Sequence, residues 1–148
     1  MESMEVNGTE MTSAEWELMR IVWTKGQASS TDIIHLIQLK KDWSESTVKT
    51  LLHRLVSKNY LSTTKEGRRF IYTPLIDEGP AVQQITSDLF NQICDMEKGP
   101  LLLKLIKETT LSQADITSMQ AALTVKAPNA PTEIHCHCLP DDTCNKCC

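Results

Sequence analysis

The segment from Ser44 to Ser57 constrains the fold most strongly, because it has two different faces at helical spacing. Its apolar residues recur at positions i, i+3, i+4, i+7 and i+8, which predicts one continuous stripe along an α-helix. They are Val48, Leu51, Leu52, Leu55 and Val56. Ser44 has the side chain of a helix N-cap. A helix with such a stripe must pack on a core, so neighbouring segments have to supply its partners.

Two further helices are predicted upstream of this segment. Thr12 is followed three residues later by Glu15, the spacing of a capping box. Apolar residues then recur at helical spacing: Trp16, Met19, Val22 and Trp23. The second helix is predicted to begin after Ser29 or Ser30 and to end near Lys41. The chain therefore opens with three helices that can share one core.

A β-hairpin is predicted directly after the third helix. The run YLSTTKEGRRFIYTP, residues 60–74, reads as two short strands with the turn at or near Glu66-Gly67. The tip carries three cations: Lys65, Arg68 and Arg69. Three helices followed by a cationic hairpin is the order of a winged helix, in which one helix enters the DNA major groove and the wing lies along the backbone.

The face of the third helix opposite its stripe carries short hydrogen-bonding side chains flanked by cations. The candidate DNA contacts on this helix are Ser46, Thr47, Lys49, Thr50, His53 and Arg54. Side chains of these types read base edges and meet phosphates in a major groove. Taken alone, such a face is more often the solvated back of a helix. Its combination with the cationic hairpin favours DNA binding.

Composition narrows the class of protein. The 148 residues, 41% of them apolar, suffice for one domain or for a small domain with an accessory one. Residues 12–74 contain ten Lys and Arg against six Asp and Glu, a basic block in a chain of net charge −4, which points mildly to a polyanionic partner. Membrane-spanning and signal patterns are absent, so a cytoplasmic protein without a membrane partner is expected. No catalytic constellation is visible, and we expect no enzyme activity.

Three short amphipathic helices are predicted in the middle of the chain. The first begins at the Gly-Pro pair at 79–80 and is broken by the Gly-Pro pair at 99–100, the second follows, and Ser112 with Asp115 caps the third. Helices this short cannot readily bury their apolar faces alone. A second copy would cover them and place two recognition helices on adjacent half-sites. Packing on their own winged domain is the alternative.

The tail CHCLPDDTCNKCC, residues 136–148, contains five of the six cysteines and follows a linker with two prolines. Thiolates are soft donors that suit Zn(II) or Cu(I), so the tail predicts a metal site. The candidate ligands are Cys136, Cys138, Cys144, Cys147 and Cys148, with His135 and His137 as substitutes. Disulfides are disfavoured in a reducing compartment. Cys94, predicted to lie inside a helix, is expected to be a small buried hydrophobe rather than a ligand.

Three runs resemble the winged-helix domain of the BlaI/MecI/CopY family of bacterial repressors. They are TSAEWELMRIVWTKGQASSTDII, WSESTVKTLLHRLVSKNYL and KEGRRFIYTPL, within roughly residues 11–76. The resemblance implies a homodimeric, operator-binding transcriptional repressor in which Thr47, Thr50 and Arg54 touch DNA. The cysteine tail is similar to that of the CopY branch and is absent from the β-lactam-responsive branch. Its spacing differs from the CopY pattern, because Thr143 stands where the third cysteine would be.

The CopY-like tail implies a copper-responsive repressor. In that scheme the Zn(II)-loaded dimer binds operator DNA, and Cu(I) displaces zinc, releases the DNA and derepresses copper-export genes, with a copper chaperone as candidate Cu(I) donor. The altered spacing leaves open which four of the five thiolates bind; the favoured set is Cys136, Cys138, Cys144 and Cys147, with Cys148 as alternate. The alternatives are a zinc-only or thiol-redox sensor repressor, and a metal-storage or thiol protein, which would not need the cationic hairpin.

The predicted fold is mainly α. It consists of a disordered N-terminus (1–11), a winged helix-turn-helix domain of three helices plus a β-hairpin wing (12–76), a small helical dimerisation domain (77–124), and a linker with a Cys-rich metal-binding tail (125–148).

Overall fold

The computed structural model describes residues 11–139, and its contacts divide the chain into two units between Ile85 and Thr86. The first unit contains α1 (Ser13–Lys25), β1 (Ala28–Ser29), α2 (Ser30–Gln38), α3 (Glu45–Ser57), β2 (Leu61–Glu66), β3 (Arg69–Pro74) and the start of α4 (Glu78–Gln92). The second contains the rest of α4, α5 (Asp95–Glu108), α6 (Gln113–Lys126) and a 3₁₀ turn, Ala127–Asn129. The expected mainly helical, winged-helix architecture is confirmed. The predicted disordered segment lies, apart from Met11, outside the described residues.

The first three helices begin at the hydroxyl side chains that the sequence indicated. Thr12, Ser29 and Ser44 each accept a hydrogen bond of 3.1–3.2 Å from the backbone N–H three residues further on. Each hydroxyl thereby satisfies one of the N–H groups that a helix start leaves without a partner. These caps fix where α1, α2 and α3 begin.

One hydrophobic core lies between the three helices and the sheet. Its fully buried side chains are Leu18, Met19, Val22, Ile33, Ile37, Val48, Leu52, Leu55 and Leu61. The predicted stripe of α3 supplies three of them, while Val56 at its end is half-buried. Because this stripe faces the core, the opposite face of α3 is directed outward.

The wing is part of a three-stranded antiparallel sheet with strand order β1-β3-β2. Glu66 pairs with Arg69, so the two-residue turn is Gly67-Arg68. Gly67 has φ of 62° at the first central position, a conformation that glycine adopts without steric cost. The predicted hairpin is confirmed, but β1, which pairs with β3, was not predicted. Two residues are too few to show strand periodicity.

The second unit corrects one predicted boundary. α4 ends at Gln92 and α5 begins at Asp95, so the break falls at residues 93–94 and not at the Gly-Pro pair at 99–100. That pair lies inside α5, where Pro100 is the sixth residue. Only the first four N–H groups of a helix lack a partner within it, so Pro100 costs α5 one backbone hydrogen bond, and the helix continues past it. The predicted cap of α6 is confirmed: Ser112 and Asp115 exchange hydrogen bonds of 3.0 and 3.1 Å. Across the described residues, no helix is long and apolar enough to cross a membrane.

Candidate nucleic-acid interface and metal centre

The outward face of α3 presents all of its candidate DNA-contacting side chains to solvent. These are Ser46, Thr47, Lys49, Thr50, His53 and Arg54, each of them exposed. The sequence predicted them from their position opposite the stripe, and packing of that stripe in the core places them there. The structure therefore offers a continuous polar and cationic helix face, which we call the α3 face.

Short-range bonds organise the N-terminal part of the α3 face. The hydroxyl of Thr50 donates to the carbonyl of Ser46 at 2.9 Å, and the hydroxyl oxygens of Ser44 and Thr47 are 2.9 Å apart. Lys49 Nζ lies 2.9 Å from a carboxylate oxygen of Glu45, and both side chains are about 60% exposed. An exposed pair of this kind is worth roughly 0–1 kcal/mol, so Lys49 can exchange Glu45 for a phosphate at little cost.

The tip of the wing presents the three predicted cations. Lys65, Arg68 and Arg69 are all exposed. Lys65 Nζ lies 5.9 Å from the ring centroid of Phe70, a side chain that is itself 46% exposed. A cation over an aromatic ring is weakly attracted to it and can still meet a phosphate. The wing tip thus suits contact with a nucleic-acid backbone.

A buried ion pair ties α3 to α1. Lys58, the C-cap of α3, places its Nζ 2.9 Å from both carboxylate oxygens of Glu15, a buried residue. The sequence assigned Glu15 to a capping box, yet its backbone N–H bonds the Thr12 cap while its carboxylate reaches Lys58. No local pattern indicates a partner 43 residues away. This pair fixes one end of the helix that carries the α3 face.

Three cysteine sulfur atoms converge in the second unit. The Sγ atoms of Cys94, Cys136 and Cys138 all lie within 4.8 Å of one another, and those of Cys94 and Cys136 are 3.5 Å apart. The backbone N–H of Cys138 donates to Cys136 Sγ at 3.4 Å. Cys94 and Cys136 are half-buried and Cys138 is exposed. We call this group the thiol trio.

The trio corrects the expectation for Cys94 and contains part of the predicted ligand set. Cys94 lies neither inside a helix nor fully buried: it is the N-cap of α5, beside the tail. Cys136 and Cys138, two of the candidate ligands, lie close together. The other candidate ligands, Cys144, Cys147 and Cys148, lie outside the described residues. Neither His135 nor His137 belongs to the trio.

The surroundings of the trio are charged. Asp95 accepts a hydrogen bond of 2.7 Å from Lys98, and that bond and the Lys98 charge, with a smaller contribution from His137, hold the pKa of the Asp95 carboxyl below its usual value.

Three thiols within reach of one point fit a soft metal ion, because thiolate ligands select Zn(II) and Cu(I). The donor set therefore fits the metals implied by the tail.

The fold and the α3 face define a winged-helix DNA-binding protein, in which the cationic wing tip and α3 lie in one unit. Within that class the chain belongs to the penicillinase repressor family, whose model matches residues 11–125. The members of this family are transcriptional repressors, which supports the expectation that the chain is not an enzyme. The family model ends before the cysteine tail.

Among the relatives, an uncharacterized 16.5 kDa protein of Latilactobacillus sakei is 51% identical over 144 residues, 97% of this chain and 96% of that protein. The methicillin resistance regulatory protein MecI of Staphylococcus aureus is 34% identical over 79% of this chain and 95% of its own length. The match to the Latilactobacillus protein extends into the cysteine tail, whereas the family model does not.

Solved structures of smaller segments are also similar. The DNA-binding domain of the repressor BlaI is 38% identical, covering 47% of this chain and 84% of that chain with a TM-score of 0.45. A CopR repressor structure is 47% identical, covering 46% of this chain and 99% of that chain with a TM-score of 0.41.

Proposed function

We propose that this chain is a copper-responsive transcriptional repressor of the cytoplasm. Its zinc-loaded dimer binds operator DNA, and exchange of Zn(II) for Cu(I) at the C-terminal cysteines releases the DNA and derepresses copper-export genes. The observation that carries the proposal is the convergence of Cys94, Cys136 and Cys138, in a repressor-family chain whose tail lies beyond the family model. A group of soft metal-binding side chains and a candidate DNA-contacting surface thereby occur in one polypeptide.

The α3 face and the wing tip support operator binding. Small hydroxyl side chains on α3 suit contact with base edges, whereas Lys49, Arg54 and the wing cations suit phosphates. The domain assigned to residues 12–76 has a basic charge balance, in contrast to the acidic remainder of the chain. Basic charge on this part of the chain favours association with DNA and makes it dependent on salt.

Exposed apolar side chains support assembly as a homodimer. Along α4, α5 and α6 they include Val82, Ile85, Leu89, Met96, Leu102, Leu103, Leu105, Ile106, Ile116, Met119, Leu123 and Val125, each at least 38% exposed. Large exposed apolar patches mark interaction surfaces. A second copy would cover these faces and give two α3 helices for two operator half-sites. Residues 77–124 are the proposed dimerisation domain.

The metal response is a change of geometry rather than of charge. Four thiolates with one Zn(II) carry a charge of −2, and four thiolates with two Cu(I) carry the same charge, so repulsion from DNA does not distinguish the two forms. Zn(II) prefers four tetrahedral ligands, while Cu(I) accepts fewer. A change in how the tail is held, passed to the dimerisation helices, is the proposed signal. A copper chaperone is the proposed Cu(I) donor.

A thiol-redox sensor repressor is the second candidate, favoured by the 3.5 Å separation of the Cys94 and Cys136 sulfur atoms. Small local movement would bring these atoms to the bonding distance of about 2.05 Å. Such a sensor would leave its operator when treated with an oxidant, and would not respond to Cu(I) under reducing, anaerobic conditions. A zinc-only sensor would respond to Zn(II) alone.

The operator-binding part of the proposal is tested by Arg54→Ala, with Arg20→Ala on α1 as matched control. Both arginines are exposed, and each change removes one positive charge. The operator probe is the duplex of highest affinity that the zinc-loaded protein selects from a random-sequence library. We expect Arg54→Ala to weaken binding by about 1–3 kcal/mol and Arg20→Ala to leave it nearly unchanged, measured by fluorescence anisotropy at stated salt. Equal losses for the two variants would remove the α3 face from the proposal.

A further inference from the structure

We infer that Cys94 is a metal ligand, and that Cys94, Cys136 and Cys138 together form a Cu(I) site closed within one chain. This inference deepens the proposed function and rests on it only for the identity of Cu(I) as the ion to which the repressor responds. Neither the tail motif nor the family resemblance includes Cys94, which lies 42 residues before Cys136. The structure brings its sulfur within 3.5 Å of Cys136 Sγ.

The position of Cys94 is not explained by the helix that it caps. Ser, Thr, Asp and Asn are preferred at an N-cap because their side chains bond the first N–H groups. Cys94 makes no side-chain cap hydrogen bond, and the turn is instead closed by its carbonyl, which accepts the N–H of Glu97 at 2.9 Å. A thiol here serves α5 poorly as a cap. Its sulfur atom lies beside the sulfur atom of Cys136 instead.

The dimensions of the trio suit one ion. Three thiolates arranged trigonally around one ion, with metal–sulfur bonds of about 2.3 Å, lie roughly 4.0 Å apart. The 3.5 Å between Cys94 and Cys136, and the limit of 4.8 Å for the whole trio, bracket that value. Small side-chain adjustments therefore suffice. The ion would bind without rearrangement of α5.

The number of donors favours Cu(I) over Zn(II) for the trio alone. Zn(II) sites in proteins hold four ligands, whereas Cu(I) is satisfied by fewer soft donors. On binding, each of the three thiols releases its proton to solvent as its metal–sulfur bond forms, and no electron is transferred. A zinc ion at the trio would need a fourth donor. The trio is thus complete for Cu(I).

An ion held at the trio would fasten together the two ends of a defined segment. Cys94 directly precedes α5, and Cys136 follows α6 and the 3₁₀ turn. The closed loop therefore contains both helices whose exposed apolar side chains form most of the proposed dimer surface. Closing a loop removes conformational freedom from its segment. Metal occupancy would in this way act on the dimerisation helices directly.

The ligand role is tested with full-length Cys94→Ser, reduced and kept anaerobic, by titrating Cu(I) against a chromophoric Cu(I) chelator. Serine is a preferred N-cap, so α5 is retained, and far-UV circular dichroism checks that it is. We expect the affinity for the first Cu(I) to fall at least tenfold, since even losing a group that merely orients a ligand costs about 10- to 100-fold. Unchanged affinity would overturn the inference.

Alkylation read by mass spectrometry gives an independent measure. In the wild-type chain, Cu(I) should slow labelling of Cys94 together with Cys136 and Cys138. A Ser118→Cys variant adds an exposed thiol on α6 as internal control, and its labelling rate should not change. Labelling of Cys94 at the same rate with and without Cu(I), or a Cys94–Cys136 disulfide in the treated sample, would overturn the inference.

Operator binding separates this inference from the proposed function. If Cu(I) protects Cys94 but the wild-type protein stays on its selected duplex, the ligand assignment stands and the copper-responsive function fails. If Cu(I) releases the wild-type protein while Cys94→Ser binds Cu(I) and leaves the duplex equally well, the function stands and the assignment of Cys94 fails.

Discussion

At the scale of single residues, the largely buried ion pair of Glu15 and Lys58 stabilises the contact between α1 and α3. The Glu15 side chain is 1% exposed and that of Lys58 is 21% exposed, and both carboxylate oxygens lie 2.9 Å from the ammonium. A charge removed from water to this degree needs its partner, because an unpaired buried carboxylate is strongly unfavourable. The pair joins α1 to the C-cap of the helix that bears the α3 face.

Replacing one partner alone should therefore destabilise the fold. We expect Lys58→Met, which keeps an unbranched side chain as far as Cε, to lower the free energy of unfolding by about 3 kcal/mol, because it leaves Glu15 without its cation. Urea denaturation followed by circular dichroism measures the change. The double variant Glu15→Leu/Lys58→Met should recover most of the loss, since an apolar pair of similar volume replaces buried ions at little cost. A double variant as unstable as Lys58→Met would refute this account.

At the scale of secondary-structure elements, caps were predictable and some breaks were not. The N-caps that the sequence indicated are present at Thr12, Ser29, Ser44 and Ser112. They were predictable because each hydroxyl bonds a backbone N–H only three residues further along the chain. The predicted α4–α5 boundary was wrong because a Gly-Pro pair indicates a helix end, whereas α5 continues through Pro100 at the cost of one backbone hydrogen bond. Strand β1 depends on pairing with β3, which local sequence does not encode.

The capping box of α6 has a consequence for pH. The hydrogen bonds of Asp115 with the Ser112 hydroxyl and backbone lower the pKa of its carboxyl from the usual 3.8. The carboxylate is the bonded form, so this contribution to helix stability is fully present above about pH 4 and disappears as the pH falls through the lowered pKa. We expect Ser112→Ala to raise the pKa of Asp115 towards 3.8, measured by NMR titration. An unchanged value would show that the cap does not hold in solution.

At the scale of the whole molecule, the chain combines a winged-helix DNA-binding unit with a cysteine tail outside the residues that the family model matches. The α3 face could be predicted because amphipathic periodicity fixes which side of a helix is exposed. Two of the three thiols in the trio could also be predicted, from the density of cysteines in the tail. Cys94 could not, since its approach to Cys136 results from the path of the chain through α5 and α6. The single clue was that it is the one cysteine outside the tail.

The most direct test of the account compares operator affinity for the zinc-loaded and Cu(I)-loaded forms of the full chain, and of a chain that ends after Ala127. We predict that Cu(I) weakens binding by the full chain through a coupling of about 1–3 kcal/mol, roughly 5- to 150-fold. The shortened chain, which retains α1 to α6, should bind equally well with either metal present. Equal affinities for the two forms of the full chain, or release of the shortened chain by Cu(I), would contradict it.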